Sequence, residues 1–201
     1  MKLLAPEKAP KVVLKDTDGN IINVADGRRT YLAFFRDASC PFCNMHIYKL
    51  TQHHEKWAAL GLNMIAVFAS TPDEVKHFIL ARPRPFPVAA EPTRKAYDIY
   101  GLHASLGGKV RAVFTRFFTF VRGMLKVGLS GLTANNIMPA DFLIDETGHL
   151  VEAYYGKDAG DHIAFERIEK FLTEGLVNQR LREAGYDASR AARASGSKMQ
   201  E

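Results

Sequence analysis

Cys40-Pro41-Phe42-Cys43 holds both cysteines of this 201-residue chain, and no other segment offers so direct a route to chemistry. A cysteine attacks as its thiolate, whereas a free thiol has a pKa of about 8.5, so the motif is reactive only where its surroundings favour the anion. Thr30-Tyr31-Leu32-Ala33-Phe34-Phe35 reads as a short buried strand, and the residues after Cys40 read as a helix opened by Pro41. Cys40 therefore falls at a strand-to-helix junction, where unpaired N–H groups and the positive end of the helix dipole meet its sulfur. Arg36, four residues upstream, is placed to add positive charge. Cys43 follows one helical turn on, within disulfide range. The arrangement predicts an exposed attacking sulfur, a more sheltered resolving sulfur and a cycle between dithiol and disulfide.

The same residues admit blander readings. Two inert, buried cysteines would satisfy the spacing. Cys40, Cys43 and His46 also follow a C-x2-C-x2-H pattern, with His53, His54 and His77 to spare. A structural zinc site, however, usually takes about four ligands from converging turns, and here the three share one helix. The reading therefore carries no metal and no cofactor, and it places His46, His53 and His54 on a solvated helix face.

The elements that must hold the motif follow from pattern. Val12-Val13-Leu14 and Ile21-Ile22-Asn23-Val24 flank a turn sequence and predict a hairpin. Cys43, Ile47, Leu50, His54 and Trp57 keep helical spacing and predict one buried face. Leu62 to Phe68 is a second core strand, and Thr71 with Glu74 forms a capping box for the next helix. Val88-Ala89-Ala90 predicts a short strand, and Thr93 to Tyr100 a helix ended by Gly101. Ala140 to Ile144 and His149 to Tyr155 predict a closing hairpin, and Asp161 caps a final helix to about Glu174. Alternating strands and helices imply an α/β fold, a mixed central sheet covered on both faces.

Composition bounds the rest. Apolar residues make up 47% and charged residues 24%, as in an ordinary soluble domain with a core of its own. A net charge of +5 is too small to single out nucleic acid, and no nucleic-acid motif accompanies it, so the reading assigns no nucleic-acid partner. The opening residues lack the apolar core of a signal peptide, and no stretch is apolar enough to span a bilayer. A cytoplasmic location is expected, where two close cysteines more often do chemistry than staple a fold.

Phe35-Arg36-Asp37-Ala38-Ser39-Cys40-Pro41-Phe42-Cys43 resembles the active-site turn of thioredoxin-fold redox proteins. Phe86 to Gly101 and Pro139 to Gly156 resemble segments of the alkyl hydroperoxide reductase and thiol-specific antioxidant group, the peroxiredoxin-like proteins. The resemblance spans about residues 8–175, apart from one insertion. It implies a thioredoxin-like fold, with Cys40 as the peroxidatic cysteine, Cys43 as the resolving cysteine and Pro139 at the cis-proline position. The Met138–Pro139 bond is accordingly expected to be cis and to lie against the cysteine pair. The chain departs from the P-x-x-x-T-x-x-C pattern of typical peroxiredoxins, since Ala33 and Asp37 occupy those positions, and Pro139 falls near the usual active-site arginine. The implied activity is reduction of peroxides or disulfides by an antioxidant thiol oxidoreductase. The electrons would come from a thiol reductant protein or glutathione.

The thioredoxin-like domain is expected at 1–176, with a basic helical insertion at about 104–133 and a charged, partly disordered tail at 177–201. Over Lys109 to Lys126, the apolar residues from Val110 to Leu125 fall within an arc of about 160° at 100° per residue, opposite Lys109, Arg111, Arg116, Arg122 and Lys126. Such a stripe suits packing on its own domain, a homodimer contact, a weak membrane contact through 109–126, or a lid near Cys40. A reading from another class stays open beside the enzyme: a non-catalytic binding or scaffold protein on the same fold, membrane-associated through the insertion.

Overall fold

A computed structural model of the chain describes residues 1–24, 26–102 and 136–183, with side chains of the last helix described to Gly175. The predicted insertion and most of the predicted tail lie outside the described residues. Among the described residues, seven strands and four helices follow in order. They are β1 (Val13–Lys15), β2 (Ile21–Asn23), β3 (Thr30–Phe35), α1 (Pro41–Ala59), β4 (Asn63–Phe68), α2 (Pro72–Phe78), β5 (Val88–Ala90), α3 (Lys95–Ile99), β6 (Ala140–Ile144), β7 (Leu150–Tyr155) and α4 (Phe165–Glu183).

The predicted mixed sheet is present as β5-β4-β3-β6-β7. β3, β4 and β5 run parallel, while β6 and β7 close it antiparallel. β3 is the central strand, with all six residues buried, because both faces are covered. Tyr31, Ala33 and Phe35 point into one core with Ile47, Leu50, Trp57 and Leu172. Leu32 and Phe34 point into the other with Leu14, Ile22, Tyr97, Tyr100 and Phe142. Successive strand residues face opposite ways, so one short apolar run seeds both layers.

The first two dozen residues form a strap over the second core. Lys8 bridges His149 at the start of β7, and Leu150 N–H donates to the Glu7 carbonyl at 2.8 Å. Farther along, Asp16 bridges Ala89 in β5, and the β1–β2 hairpin lays Leu14, Ile22 and Val24 on the sheet.

Some boundaries differ from the sequence reading. The last helix begins at Phe165 rather than beside Asp161, and its backbone continues to Glu183. Asp161 spends its carboxylate elsewhere, accepting from the Tyr154 hydroxyl at 2.9 Å and from Lys157 N–H at 2.8 Å. The third helix is only Lys95–Ile99, because Arg94 takes a left-handed conformation at its start (φ 61°). The Met138–Pro139 bond, expected to be cis, is trans, the default for an X–Pro bond; among the described residues the cis bond is Ala5–Pro6. Met138 is buried, so its backbone is no exposed edge for a substrate strand.

Gly156 ends β7 where it meets Pro139, whose carbonyl accepts the Gly156 N–H at 2.9 Å. A Cβ built there would lie 2.3 Å from the Asp161 carbonyl oxygen and 3.0 Å from the Pro139 ring. Both obstacles are stiff, so Gly156→Ala should cost about 1–3 kcal/mol through overpacking. A lowered denaturant midpoint at unchanged slope is the expected reading; an unchanged midpoint would show that the loop yields freely.

Candidate active site

β3 delivers the site. Its end is held by Tyr97, whose hydroxyl donates to the carbonyls of Phe35 at 2.8 Å and Val67 at 3.0 Å. The chain then turns. Cys40 N–H donates to Asp37 O at 3.0 Å, Ala38 N–H to the Ser70 hydroxyl at 3.0 Å, and the Asn44 amide to Ala38 O at 2.6 Å and Cys40 O at 3.1 Å. These bonds satisfy the backbone of a buried turn and fix where α1 starts. Cys40 is the N-cap residue, extended at φ −67° and ψ 123°, and Pro41 opens the helix with a φ suited to its first turn.

Cys40 and Cys43 come within 3.2 Å of each other as free thiols, not a disulfide. Arg36 is buried, and its Nη1 donates to Cys40 Sγ at 3.7 Å. The expected difference in exposure between the sulfurs is absent: both cysteines are 0% exposed. Phe42 and Pro41 close over the turn, and both are themselves buried.

Burial pushes both thiols up, and the polar contacts split them. At Cys40 the bond from the Cys43 thiol, the Arg36 charge and the N–H groups of Cys43 and Phe42 outweigh burial and bring the pKa down to about 6. At Cys43 burial and the neighbouring Cys40 push the same way, well above the ordinary thiol range. The pair thus favours a thiolate at Cys40 beside a thiol at Cys43 that keeps its proton. The difference comes first from the hydrogen bond between the two sulfurs and then from the N–H groups at the helix start, with Arg36 favouring the anion, rather than from exposure.

A second cluster, absent from the sequence reading, lies beside the motif. Asp141 in β6 is fully buried opposite Ala33. It accepts from the Tyr31 hydroxyl at 2.8 Å, from Ile163 N–H at 2.8 Å, and from His162 Nδ1 at 3.0 and 3.1 Å. The His162 ring stacks on His46 of α1, centroids 3.9 Å apart and planes 10° from parallel. His46 is therefore half-buried rather than fully solvated, and so are His53 and His54. His53 packs on Trp57 and Phe165, and His54 on Phe86. The segment from Gly160 to Phe165 covers that side of α1. One local signal was available: a carboxylate in the otherwise apolar run Ala140 to Ile144 needs a buried partner.

A family model described as the AhpC/TSA family matches residues 5–153, most of the chain. The chain belongs to the AhpC/TSA family. Two Mycobacterium tuberculosis sequences with provisional peroxiredoxin names are similar to it, 26% identical over 165 residues, covering 81% of this chain and 92% of each relative. Among solved structures, a thiol:disulfide interchange protein of Chlorobium tepidum, so named provisionally, superposes at TM-score 0.58 and 23% identity, covering 85% of this chain and 99% of its own. Peroxiredoxin 6 of Arenicola marina superposes at TM-score 0.63 and 14% identity, covering 85% and 72%. These likenesses carry the fold, and the thioredoxin-like, peroxiredoxin-like reading is correct at that level. The family places the chain among redox enzymes of the peroxiredoxin or thiol-oxidoreductase kind. Among the described residues, no helix is long and apolar enough to cross a membrane.

Proposed function

We propose that this AhpC/TSA protein is a cytoplasmic thiol oxidoreductase that cycles Cys40 and Cys43 between dithiol and disulfide, with peroxide as its oxidant. The observation that carries the proposal is a buried Cys40 at a helix N-terminus, 3.7 Å from Arg36 Nη1, with a second thiol 3.2 Å away. In this reading the Cys40 thiolate attacks one peroxide oxygen. The O–O bond breaks, its electron pair leaves with the other oxygen, and that oxygen takes up a proton as water or alcohol. The sulfenic acid on Cys40 is then attacked by Cys43, and a second water leaves as the disulfide forms. Two thiols from a reductant restore the pair. Arg36 stabilises the thiolate, and Pro139 acts by position, holding β6 against Gly156 at the end of β7. Full burial of both sulfurs favours a small oxidant over a protein disulfide.

Titration with hydrogen peroxide tests this. One equivalent should remove both free thiols and lower the mass by two hydrogens, faster than protein disulfide does. Retention of both thiols, or a mass gain of oxygen atoms with no disulfide, would exclude the cycle.

A further inference from the structure

A cavity of about 270 Å³ opens beside the motif, lined by Phe42 between the cysteines, by His46, Lys49 and Glu166, and by His162. On α1, Phe42, His46 and Lys49 lie at helical spacing on one face, next to the face that carries Cys43, Ile47 and Leu50 into the core. The His162 side chain is only 3% exposed. Its Nδ1 faces a carboxylate that can only accept, so Nδ1 donates. Its Nε2 is buried with no hydrogen-bond partner among the described residues. In the neutral ring that nitrogen holds a lone pair, and a buried polar atom left unsatisfied is costly unless something fills the role.

We propose that this cavity binds the small-molecule reductant of the Cys40–Cys43 disulfide, an amino-acid-type thiol, and that His162 is the base that takes its proton. The proposal rests on the dithiol cycle above, and on peroxide having formed the disulfide. The chemistry of the lining selects the ligand class. Nε2 requires a proton donor, which the thiol S–H supplies. Exposed Lys49 complements a carboxylate, and exposed Glu166 an ammonium group. Asp141 fixes the tautomer and orientation of His162, as a carboxylate partner does for any catalytic imidazole.

The step balances. The bound thiol gives its proton to His162, and its sulfur attacks Cys43 once Phe42, which lines the cavity and covers the buried pair, swings aside. The Cys40–Cys43 bond breaks with its electron pair on Cys40, the better leaving group because its thiolate is the stabilised one. A second thiol molecule attacks the ligand sulfur of the mixed disulfide, and its own proton goes to solvent. The oxidised ligand disulfide departs, and the Cys43 sulfur takes the proton held by His162. Two thiols have lost two electrons, and the protein disulfide has gained them.

The experiment starts from peroxide-oxidised full-length protein and counts thiols released with time by glutathione, by 2-mercaptoethanol and by a phosphine, which brings no S–H proton. His162→Asn keeps a donor for Asp141 and removes Nε2. It should slow both thiols roughly 10- to 100-fold, within the usual span for a general base, and leave the phosphine rate unchanged. Lys49→Gln, an exposed change, should raise the half-saturating glutathione concentration several-fold and leave 2-mercaptoethanol unaffected. Unchanged thiol rates in His162→Asn, or equal slowing with the phosphine, would overturn the base role. If that variant fails to fold, Lys49→Gln still decides the site: an equal effect on both thiols, or none, overturns it. Failure of the wild type to form any disulfide appears before reduction begins, and it sinks the underlying cycle instead.

Discussion

Cys40→Ser should reduce peroxide turnover by on the order of 10³-fold or more, because Cys43, the chain's other thiol, is held well above the ordinary thiol range and keeps its proton. Serine differs by one atom at a buried position, so folding should survive, and circular dichroism with a thermal melt checks that. Cys43→Ser should behave differently. It leaves the Cys40 thiolate and Arg36 in place, so one equivalent of peroxide is consumed rapidly, sulfenic acid accumulates, and no disulfide follows. The contrast separates the roles of the two sulfurs. Equal activity of wild type and Cys40→Ser across both peroxide and disulfide substrates would leave the scaffold reading standing.

Arg36→Met should move the Cys40 titration upward toward the ordinary thiol range, since it removes the nearby positive charge but leaves the Cys43 bond and the helix N–H groups. Thiolate ultraviolet absorbance in wild type should show a midpoint near 6. In the variant, peroxide reactivity should fall several-fold near neutral pH and converge on wild type under alkaline conditions, where both are ionised. An unchanged midpoint would remove Arg36 from the mechanism. The linkage to stability has a definite sign. Cys40 titrates below its unfolded value, so its thiolate stabilises the fold above the ordinary thiol range, and that contribution disappears as pH falls through about 6. Cys43 is shifted the other way, so its contribution is lost as pH rises beyond that range. A Cys43→Ser variant should therefore tolerate alkaline pH better than wild type.

What could be read from sequence was whatever the chain settles locally. Strand β3, the strand-to-helix junction at Cys40, Pro41 and the amphipathic face of α1 are separated by a few residues each, so pattern reaches them. Burial of Cys40 was not legible, because the residues that enclose it arrive from several elements. Asp141 and His162 meet only after the sheet has closed and the chain has turned past Gly156, and no periodicity records that encounter. Asp161 was misjudged for a related reason. It looks like a helix cap, but Tyr154 and the Lys157 N–H claim its oxygens, and the chain stays extended long enough for Ile163 N–H to reach Asp141. Tertiary hydrogen bonding outbid a local capping preference.

The strap formed by the first two dozen residues has a consequence for association. A five-stranded open sheet has two outer strands, each with backbone donors and acceptors that invite a foreign chain. Here one continuous segment touches both, with Glu7 and Lys8 beside β7 and Asp16 beside β5. The same stretch that completes the apolar layer also blunts both margins of the sheet. Loosening it anywhere between those two anchor points would uncover adhesive edges together with the Leu32 and Phe34 face, so the strap guards the protein's solubility as well as its fold.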